Sequence, residues 1–290
     1  GMPPFPSGNV YVAGSRNAEI FEYGPELKFV SKWTHPAFGT VMPAPGQPYG
    51  DGPAGMVFDA NGHLVVAAVD QFCVFSKPGV LLACHPKTKS QPTENIIFDL
   101  AGNLYTTTAT GGTNEIHKYD ASFKYLTTFS MPTGNLTGVT CDLDGNLYIA
   151  SQLGGSQSSI YKVDKTNLSV LDTITINATA EGLQFAADGN ILVATLAGGI
   201  LRVKASSPGT VLSTINHASL HFAVPLTIDN DGLIYTADYE NGTGTVAADL
   251  FVFDGVGNLK ASSLPSEIYG PFGVVVAGAV LPCGAFQPPK

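Results

Sequence analysis

The sequence predicts an all-β fold, a six-bladed β-propeller built from four-stranded antiparallel blades. Three observations predict it: one phrase recurs along the chain, strand-like segments surround each copy, and the strand missing from the first copy stands near the C-terminus. The 290 residues include 33 glycines and 20 prolines, whereas only 13% are charged. That composition is typical of many short strands joined by turns.

The repeated phrase is exemplified by "CDLDGNLYIAS", which begins at Cys141. Its turn glycines are Gly62, Gly102, Gly145, Gly189 and Gly232, at spacings of 40, 43, 44 and 43 residues. A period in the low forties is typical of propeller blades. Glycine and asparagine tolerate the positive φ of a tight hairpin, and aspartate bonds backbone amides two residues further on. We therefore interpret the aspartates as turn residues and not as Ca²⁺ ligands.

Each copy supplies four strand signals in a fixed order. A first strand such as "GVTCD" precedes the turn and a second such as "NLYIA" follows it; a third, "IYKVD", and a fourth, "VLDTI", complete the blade. Six second, third and fourth strands are present, but only five first strands precede them. We expect "FGVVVAG", residues 272–278, to be the sixth and to pair beside "NVYVA". This pairing closes the ring and removes the edges that an open sheet would expose.

The predicted ring is one domain over residues 1–290. Its blades are expected at approximately 8–36 with 272–278, then 53–86, 94–130, 136–176, 180–217 and 223–266.

The phrase G-[VL]-x-[FCI]-D-x-D-G-N-[LI]-Y-[VI]-A resembles the NHL-repeat propellers and, more loosely, the gluconolactonase-like six-bladed family. The resemblance covers nearly the whole chain. Members of the gluconolactonase-like family hold a divalent metal in the channel with Glu, Asn and Asp side chains. The resemblance thus implies Glu181 and Asp238 as metal ligands for calcium or another divalent cation. Glu94 and Asp51, acidic residues expected at the same face, are further candidate ligands, because hard cations prefer carboxylate oxygens. No first strand opens with that family's Asn-Gly pair, so solvated acidic loop residues remain the alternative.

Further candidates lie where the topology predicts the top face, which is built from residues before first strands and from loops between second and third strands. Loops of every blade converge at such a mouth, which favours ligand binding there. The predicted ligand-binding residues are Glu94, Asn95, Asn135, Tyr239 and Tyr269. His221, also near this mouth, is a candidate general base, and Glu181 is a second catalytic candidate.

The four cysteines allow one specific pairing prediction. A turn at Lys77–Val80 would put Cys73 opposite Cys84 on adjacent strands, within disulfide range. Cys141 and Cys283 could pair across the ring closure, although nothing in the sequence locates the tail. A disulfide would indicate an oxidising compartment, so an extracellular or periplasmic location is expected.

Charge and hydropathy exclude some functions. The net charge is −9 and no run of basic residues is present, which argues against a nucleic-acid surface. No segment approaches the roughly 20 apolar residues that span a bilayer. A closed ring has no evident need of a second subunit, so a monomer is expected. The favoured function is non-catalytic binding of a protein or small-molecule partner at the top face; the alternative is a metal-dependent hydrolase or lyase resembling the gluconolactonase-like or streptogramin-lyase propellers.

Overall fold

Six four-stranded antiparallel sheets form a ring of propeller blades. The computed structural model describes residues 4–39, 52–68, 70–89, 93–108, 113–197, 199–239 and 246–283, and the side chains of residues 94, 108 and 264–266 lie outside this description. The innermost strand of each blade contacts the innermost strands of both neighbouring blades. The predicted six-bladed fold is therefore confirmed.

The strands are given from the innermost to the outermost in each blade. Blade 1 comprises β24 (Pro271–Val276), β1 (Val10–Gly14), β2 (Glu19–Tyr23) and β3 (Phe29–Thr34). Blade 2 comprises β4 (Met56–Phe58), β5 (Leu64–Ala67), β6 (Gln71–Lys77) and β7 (Val80–Pro86). Blade 3 comprises β8 (Thr93–Phe98), β9 (Leu104–Thr108), β10 (Glu115–Tyr119) and β11 (Tyr125–Ser130).

The second half of the ring repeats this order. Blade 4 comprises β12 (Leu136–Cys141), β13 (Leu147–Gly154), β14 (Gln157–Val163) and β15 (Val170–Ile176). Blade 5 comprises β16 (Ala180–Phe185), β17 (Asn190–Thr195), β18 (Gly199–Lys204) and β19 (Val211–Ile215). Blade 6 comprises β20 (Ala223–Ile228), β21 (Ile234–Asp238), β22 (Ala248–Phe253) and β23 (Leu259–Ile268). Two short 3₁₀ helices, Pro25–Leu27 and Pro36–Phe38, flank β3.

The two ends of the chain close the ring within blade 1. Val10 pairs with Val276 and Val12 with Val274 in an antiparallel register. The alternating valines of the two strands are buried, because one face packs on blade 6 and the other on blade 2. The predicted pairing of residues 272–278 with the first strand is confirmed.

The repeated turns are held by the aspartates, as the sequence indicates. Asp142 Oδ1 accepts the backbone N–H groups of Asp144 and Asn146, each at 3.0 Å. The Tyr148 hydroxyl donates to Asp142 Oδ2 at 3.3 Å. Burial, followed by the nearby negative charge of Asp142, raises the pKa of Tyr148. The aspartate–tyrosine pair of the repeated phrase therefore fixes the turn to its own second strand.

The innermost strands of neighbouring blades approach each other at glycines. A Cβ atom on Gly138 in β12 would lie 2.3 Å from the backbone oxygen of Glu181 in β16. A Cβ atom on Gly182 would lie 2.6 Å from the backbone oxygen of Val224 in β20. The glycine that opens the repeated phrase in several blades is thus required by close approach between backbones.

The chain beyond β24 crosses the lower end of the channel. Asn230 holds it in place, donating from Nδ2 to the Gly278 oxygen at 2.9 Å and accepting the Val280 N–H at Oδ1 at 2.7 Å. Leu281 and Cys283 then line a channel cavity of about 60 Å³ together with residues of all six innermost strands. Residues 277–283, which we call the tail strap, thus obstruct the bottom of the channel.

Two disulfides are present. Cys73 and Cys84 stand directly opposite each other on β6 and β7 with Cα atoms 4.1 Å apart, as predicted. Cys283 is joined to Cys141 at the end of β12 with Cα atoms 6.0 Å apart. This second pairing was left open by the sequence, and it does not lie at the ring closure in blade 1: the tail strap leaves blade 1, contacts blades 6 and 5 through Asn230 and Leu281, and reaches the opposite blade 4 at Cys141. Two disulfides indicate an oxidising compartment.

Among the described residues, no helix has the length and apolar character needed to cross a membrane.

Candidate functional site

A histidine and an aspartate pair at the top of blade 6. The Asp238 carboxylate has no exposed surface. Its Oδ1 accepts the backbone N–H groups of His221 at 3.1 Å and Phe222 at 2.8 Å, and its Oδ2 lies 3.1 Å from His221 Nδ1. β20 follows these two backbone donors directly and β21 ends at the aspartate, so the hairpin itself brings the three groups together.

The imidazole of this pair is oriented and accessible. The His221 side chain is 52% exposed, whereas its partner is fully buried. An ionised carboxylate only accepts hydrogen bonds, so Nδ1 of His221 carries a proton and Nε2 is the nitrogen that can act on a ligand. Such an arrangement can bind a hydroxyl group or an anion, or accept a proton as a general base.

Apolar side chains gather next to this pair. Ala54, Val224, Tyr239 and Phe272 are buried and in mutual contact, and half-buried Leu196 and Phe222 pack against them. The rings of Tyr239 and Phe272 meet edge to face with their centroids 5.5 Å apart. These six residues, which we call the mouth cluster, come from blades 5, 6, 1 and 2. Sequence reasoning identified Tyr239 alone among them, because isolated apolar residues in separate loops carry no signal until the ring assembles.

Glu181 lies at the top of blade 5, in the innermost strand. Its side chain is buried, and Oε1 accepts Gln152 Nε2 at 2.8 Å. The same amide nitrogen donates to the Ala180 oxygen at 2.8 Å. Glu181 is thus linked to blade 4 by Gln152, while both oxygens of Asp238 are engaged by donors in blade 6.

The predicted metal ligands can be located only in part. Asp51 lies outside the described residues, as does the side chain of Glu94. In the described part of the chain, one group of three His, Cys, Asp or Glu side chains has its ligand atoms within 4.8 Å of one another: His35, Cys73 and Cys84. That group lies in blades 1 and 2 and includes neither Glu181 nor Asp238.

The remaining ligand-binding candidates are spread around the rim. Asn95 is half-buried and lines the channel in blade 3. Asn135, exposed and at a φ of 54°, accepts the Gln152 N–H at its backbone oxygen at 3.0 Å. Tyr269 is half-buried, and its N–H donates to Asn17 Oδ1 at 2.6 Å. Of the predicted ligand-binding residues whose side chains are described, Tyr239 therefore belongs to the mouth cluster, and the His221–Asp238 pair lies next to it.

A buried lysine, which sequence reasoning missed, lies at the top between blades 2 and 3. Lys87 Nζ donates to the Thr93 hydroxyl at 2.6 Å and to the Ala68 oxygen at 3.0 Å, and it sits 5.7 Å from the centroid of the Phe72 ring. Burial lowers the pKa of Lys87 to about 7, with the charge of Asp70 opposing the shift. Its loop context, "HPKTK", resembles any solvated basic turn and gave no sign of this burial.

Replacing Lys87 with methionine is expected to stabilise the protein at acidic and neutral pH. The pKa of Lys87 is about 7 in the fold against 10.5 for a freely solvated lysine, so the unfolded chain binds more protons in this interval and stability rises with pH. Between about pH 6 and about pH 9, the unfolding free energy of the wild type should therefore rise by about 2 to 3 kcal/mol relative to that of Lys87→Met. Urea unfolding of both proteins across this range measures the difference.

Lys165→Met is the matched control, since that lysine is on an exposed turn. The unfolding free energy of Lys165→Met should change with pH in the same way as that of the wild type. A constant offset between wild type and Lys87→Met would contradict the burial of a charged amine.

Comparison with known proteins relates the fold to enzymes and to proteins of unknown function. No family model and no curated protein matches the chain. A Bacteroides caccae protein of unknown function superimposes with a TM-score of 0.68 at 12% identity, covering 92% of this chain and 98% of that one.

Two enzyme-related structures show the same architecture. A catalytically inactive histidine-to-alanine variant of virginiamycin B lyase from Staphylococcus aureus with quinupristin gives a TM-score of 0.56 at 10% identity, covering 81% and 84% of the two chains. A proposed gluconolactonase gives 0.59 at 12% identity, covering 79% and 81%. At these identities the likeness establishes the fold alone: this chain is a six-bladed β-propeller with structural neighbours among the gluconolactonase-like and streptogramin-lyase propellers.

Proposed function

We propose that the protein binds a small organic molecule at the top-face mouth, through the mouth cluster and His221. The main support for this proposal is the position of the His221 imidazole. It is half-exposed, it is held by the fully buried Asp238 carboxylate, and it lies beside half-buried apolar side chains. Ligand sites commonly combine apolar walls with a few precisely oriented polar groups. The ligand class that fits has an aromatic or aliphatic body and one hydroxyl or acidic group for His221 Nε2.

The shape of the channel supports binding at the rim. Its cavity of about 60 Å³ is obstructed below by Leu281 and Cys283. A space of that size holds a few water molecules and no drug-sized ligand, which needs several hundred Å³. The ligand therefore rests on the mouth and does not pass through the ring. The two disulfides support action outside the cytoplasm, in an extracellular or periplasmic setting.

A thermal-shift screen with phenols, hydroxy acids and aromatic lactones tests the proposal. A compound that binds only the folded state raises the stability by RT ln(1 + [L]/Kd), so hits appear as an increase in Tm. Replacing His221 with alanine is expected to weaken each hit by roughly tenfold, the size of one lost hydrogen bond to a charged or strongly polar group. Titration calorimetry of each hit against wild type and variant gives the two dissociation constants.

His63→Ala is the matched control. His63 also lies near an aspartate, with Nδ1 3.7 Å from Asp59 Oδ2, but it is located at a bottom-face turn. The control should bind every hit as the wild type does. Equal affinity of wild type and His221→Ala for the hits, or a library in which no compound shifts Tm, would count against the proposal.

A second candidate function is proton abstraction from the bound molecule by His221. The specific observation that favours it is the same Nδ1–carboxylate contact, which orients a base and stabilises the cation that forms. In this case Asp238 acts as a positioning residue. The hits should then be consumed over time by wild-type protein and by His63→Ala, but not by His221→Ala, as chromatography of the incubated mixtures would show.

The predicted metal-dependent alternative is less well supported. A divalent ion prefers carboxylate oxygens that are free to coordinate, whereas Asp238 already receives three donors and Glu181 receives Gln152. Repeating the screen with Ca²⁺, Mg²⁺, Mn²⁺ and Zn²⁺ on the oxidised protein tests this directly. An increase in Tm that Glu181→Gln abolishes would favour the metal-dependent reaction over the metal-free binding proposed above.

A further inference from the structure

A histidine lies against the Cys73–Cys84 disulfide. His35 Nδ1 is 4.0 Å from Cys84 Sγ, and all three potential ligand atoms lie within 4.8 Å of one another. Cys73 is buried, whereas His35 and Cys84 are half-buried, so the group reaches the surface on one side. The rings of Phe38 and Phe75 flank the imidazole at centroid distances of 6.0 and 6.4 Å.

A hydrogen bond fixes the tautomer of His35. Nδ1 accepts the backbone N–H of Ala37 at 3.1 Å, so the ring proton is on Nε2 and the single lone pair of Nδ1 points at that N–H. Binding of a metal by Nδ1, which lies 4.0 Å from Cys84 Sγ, therefore requires that the Ala37 hydrogen bond be given up and the imidazole turn towards the sulfur. A neutral imidazole and two thiolates are a ligand set that zinc-class ions prefer.

The distances are close to those of a tetrahedral site. With metal–sulfur bonds of about 2.3 Å and metal–nitrogen bonds of about 2.0 Å, neighbouring ligand atoms are about 3.6 Å apart. The observed N–S separation of 4.0 Å needs only a small adjustment. The two sulfurs, bonded in the oxidised protein, must separate to about 3.7 Å by side-chain rotation. Because Cys73 and Cys84 are directly opposed on paired strands, the backbone keeps both side chains on the same face.

We infer that His35, Cys73 and Cys84 form a metal site for a zinc-class divalent ion when the disulfide is reduced. The site supplies three protein ligands and leaves the fourth position to solvent on the half-buried side. Disulfide and metal are mutually exclusive occupants of the same two sulfurs. This inference is independent of the function proposed for the top face, because the group lies in blades 1 and 2 and includes none of the residues of the mouth cluster.

A phosphine can reduce the Cys73–Cys84 disulfide and so free the two thiols. The S–S bond breaks, the two sulfurs take the two protons of one water molecule, and the phosphine takes its oxygen to become a phosphine oxide. Binding of one divalent ion then releases two protons as the thiols become thiolates, and His35 binds without losing a proton.

Co²⁺ titration of the folded, phosphine-reduced protein under anaerobic conditions tests the inference. A tetrahedral site with sulfur ligands gives an intense visible d–d spectrum and a near-ultraviolet sulfur-to-metal charge-transfer band, saturating at one ion per chain and displaced by Zn²⁺. Trp33 is the only tryptophan and packs on the same core cluster as Cys73 and Cys84. Co²⁺ should therefore quench its fluorescence with the same stoichiometry.

Four variants separate this site from adventitious binding. The Cys141→Ser, Cys283→Ser double variant removes the other disulfide and should keep the full signal. The Cys73→Ser, Cys84→Ser double variant should lose the charge-transfer band. His35→Ala should bind Co²⁺ at least roughly tenfold more weakly, whereas His85→Ala, on the same strand as Cys84, should bind it as the wild type does.

Two results would overturn the inference. One is a reduced wild-type protein without a saturable charge-transfer band, or with a band that survives in the Cys73→Ser, Cys84→Ser variant. The other is resistance of the disulfide to reduction in the folded protein, detected by mass after thiol alkylation, because the site exists only when both thiols are free.

Discussion

A protein with serine in place of both Cys141 and Cys283 is expected to lose about 5 kcal/mol of unfolding free energy. The disulfide joins residues separated by 142 positions, and cross-linking a stretch of that length reduces the entropy of the unfolded chain by about this amount in the chain-entropy description. Half of the ring lies between the two cysteines. Urea unfolding without reductant, compared with the wild type, measures the loss.

The other disulfide supplies the control for this effect. Cys73 and Cys84 are separated by 11 residues, for which the same description predicts about 3 kcal/mol. The long-range variant should therefore be the less stable of the two serine pairs by about 2 kcal/mol. The reverse order would show that native contacts of the tail strap, and not chain entropy, dominate the contribution of the Cys141–Cys283 disulfide.

Loss of the Cys141–Cys283 disulfide should also make the tail strap at the lower end of the channel more mobile. Leu281 and Cys283 obstruct its lower end, and without the disulfide the strap would be held there by Asn230 and by the packing of Leu281. Hydrogen exchange at the Val280 amide, which donates to Asn230, should become faster than in the wild type, while exchange in the inner strands stays slow.

The architecture could be predicted because short-range sequence patterns specify its strands and turns. The turn aspartates, the glycine that follows them and the strand-length apolar runs each act within about ten residues, and their repetition reports the number of blades. The closing strand was also predictable, because the first blade lacks an innermost strand and the apolar segment 272–278 belongs to no other blade. The path of the tail strap was not predictable, because its anchor, Asn230, is an ordinary turn residue in its own blade.

The candidate site was predictable only as a list of positions. His221 and Asp238 were both placed at the mouth by the repeat, but as a base and a metal ligand with separate roles. Their contact forms when β20 and β21 pair with Ala223 opposite Asp238, and the positions of the two residues in the repeat do not by themselves specify that their side chains meet. The burial of Lys87 and the proximity of His35 to a disulfide are likewise set by contacts between segments that are distant in the chain or lie on different blades.

Replacing Gly138 with alanine is expected to destabilise the ring by about 3 kcal/mol or more. The added Cβ would lie 2.3 Å from the backbone oxygen of Glu181 and 2.7 Å from the backbone nitrogen of Leu183, and neither atom can rotate away. Overpacking of this kind forces backbone shifts that usually cost about 1 to 3 kcal/mol and more when the obstacle is rigid. Equilibrium unfolding in urea measures the loss.

Gly255→Ala is the control, because a Cβ atom there meets nothing within 4 Å, and its stability should stay within about 0.5 kcal/mol of the wild type. The clash lies at the backbone of Glu181 and Leu183, away from His221 and the mouth cluster. If Gly138→Ala were as stable as Gly255→Ala, neighbouring blades could separate at little cost. The close approach of their innermost strands would then be a consequence of ring closure and not a condition for it.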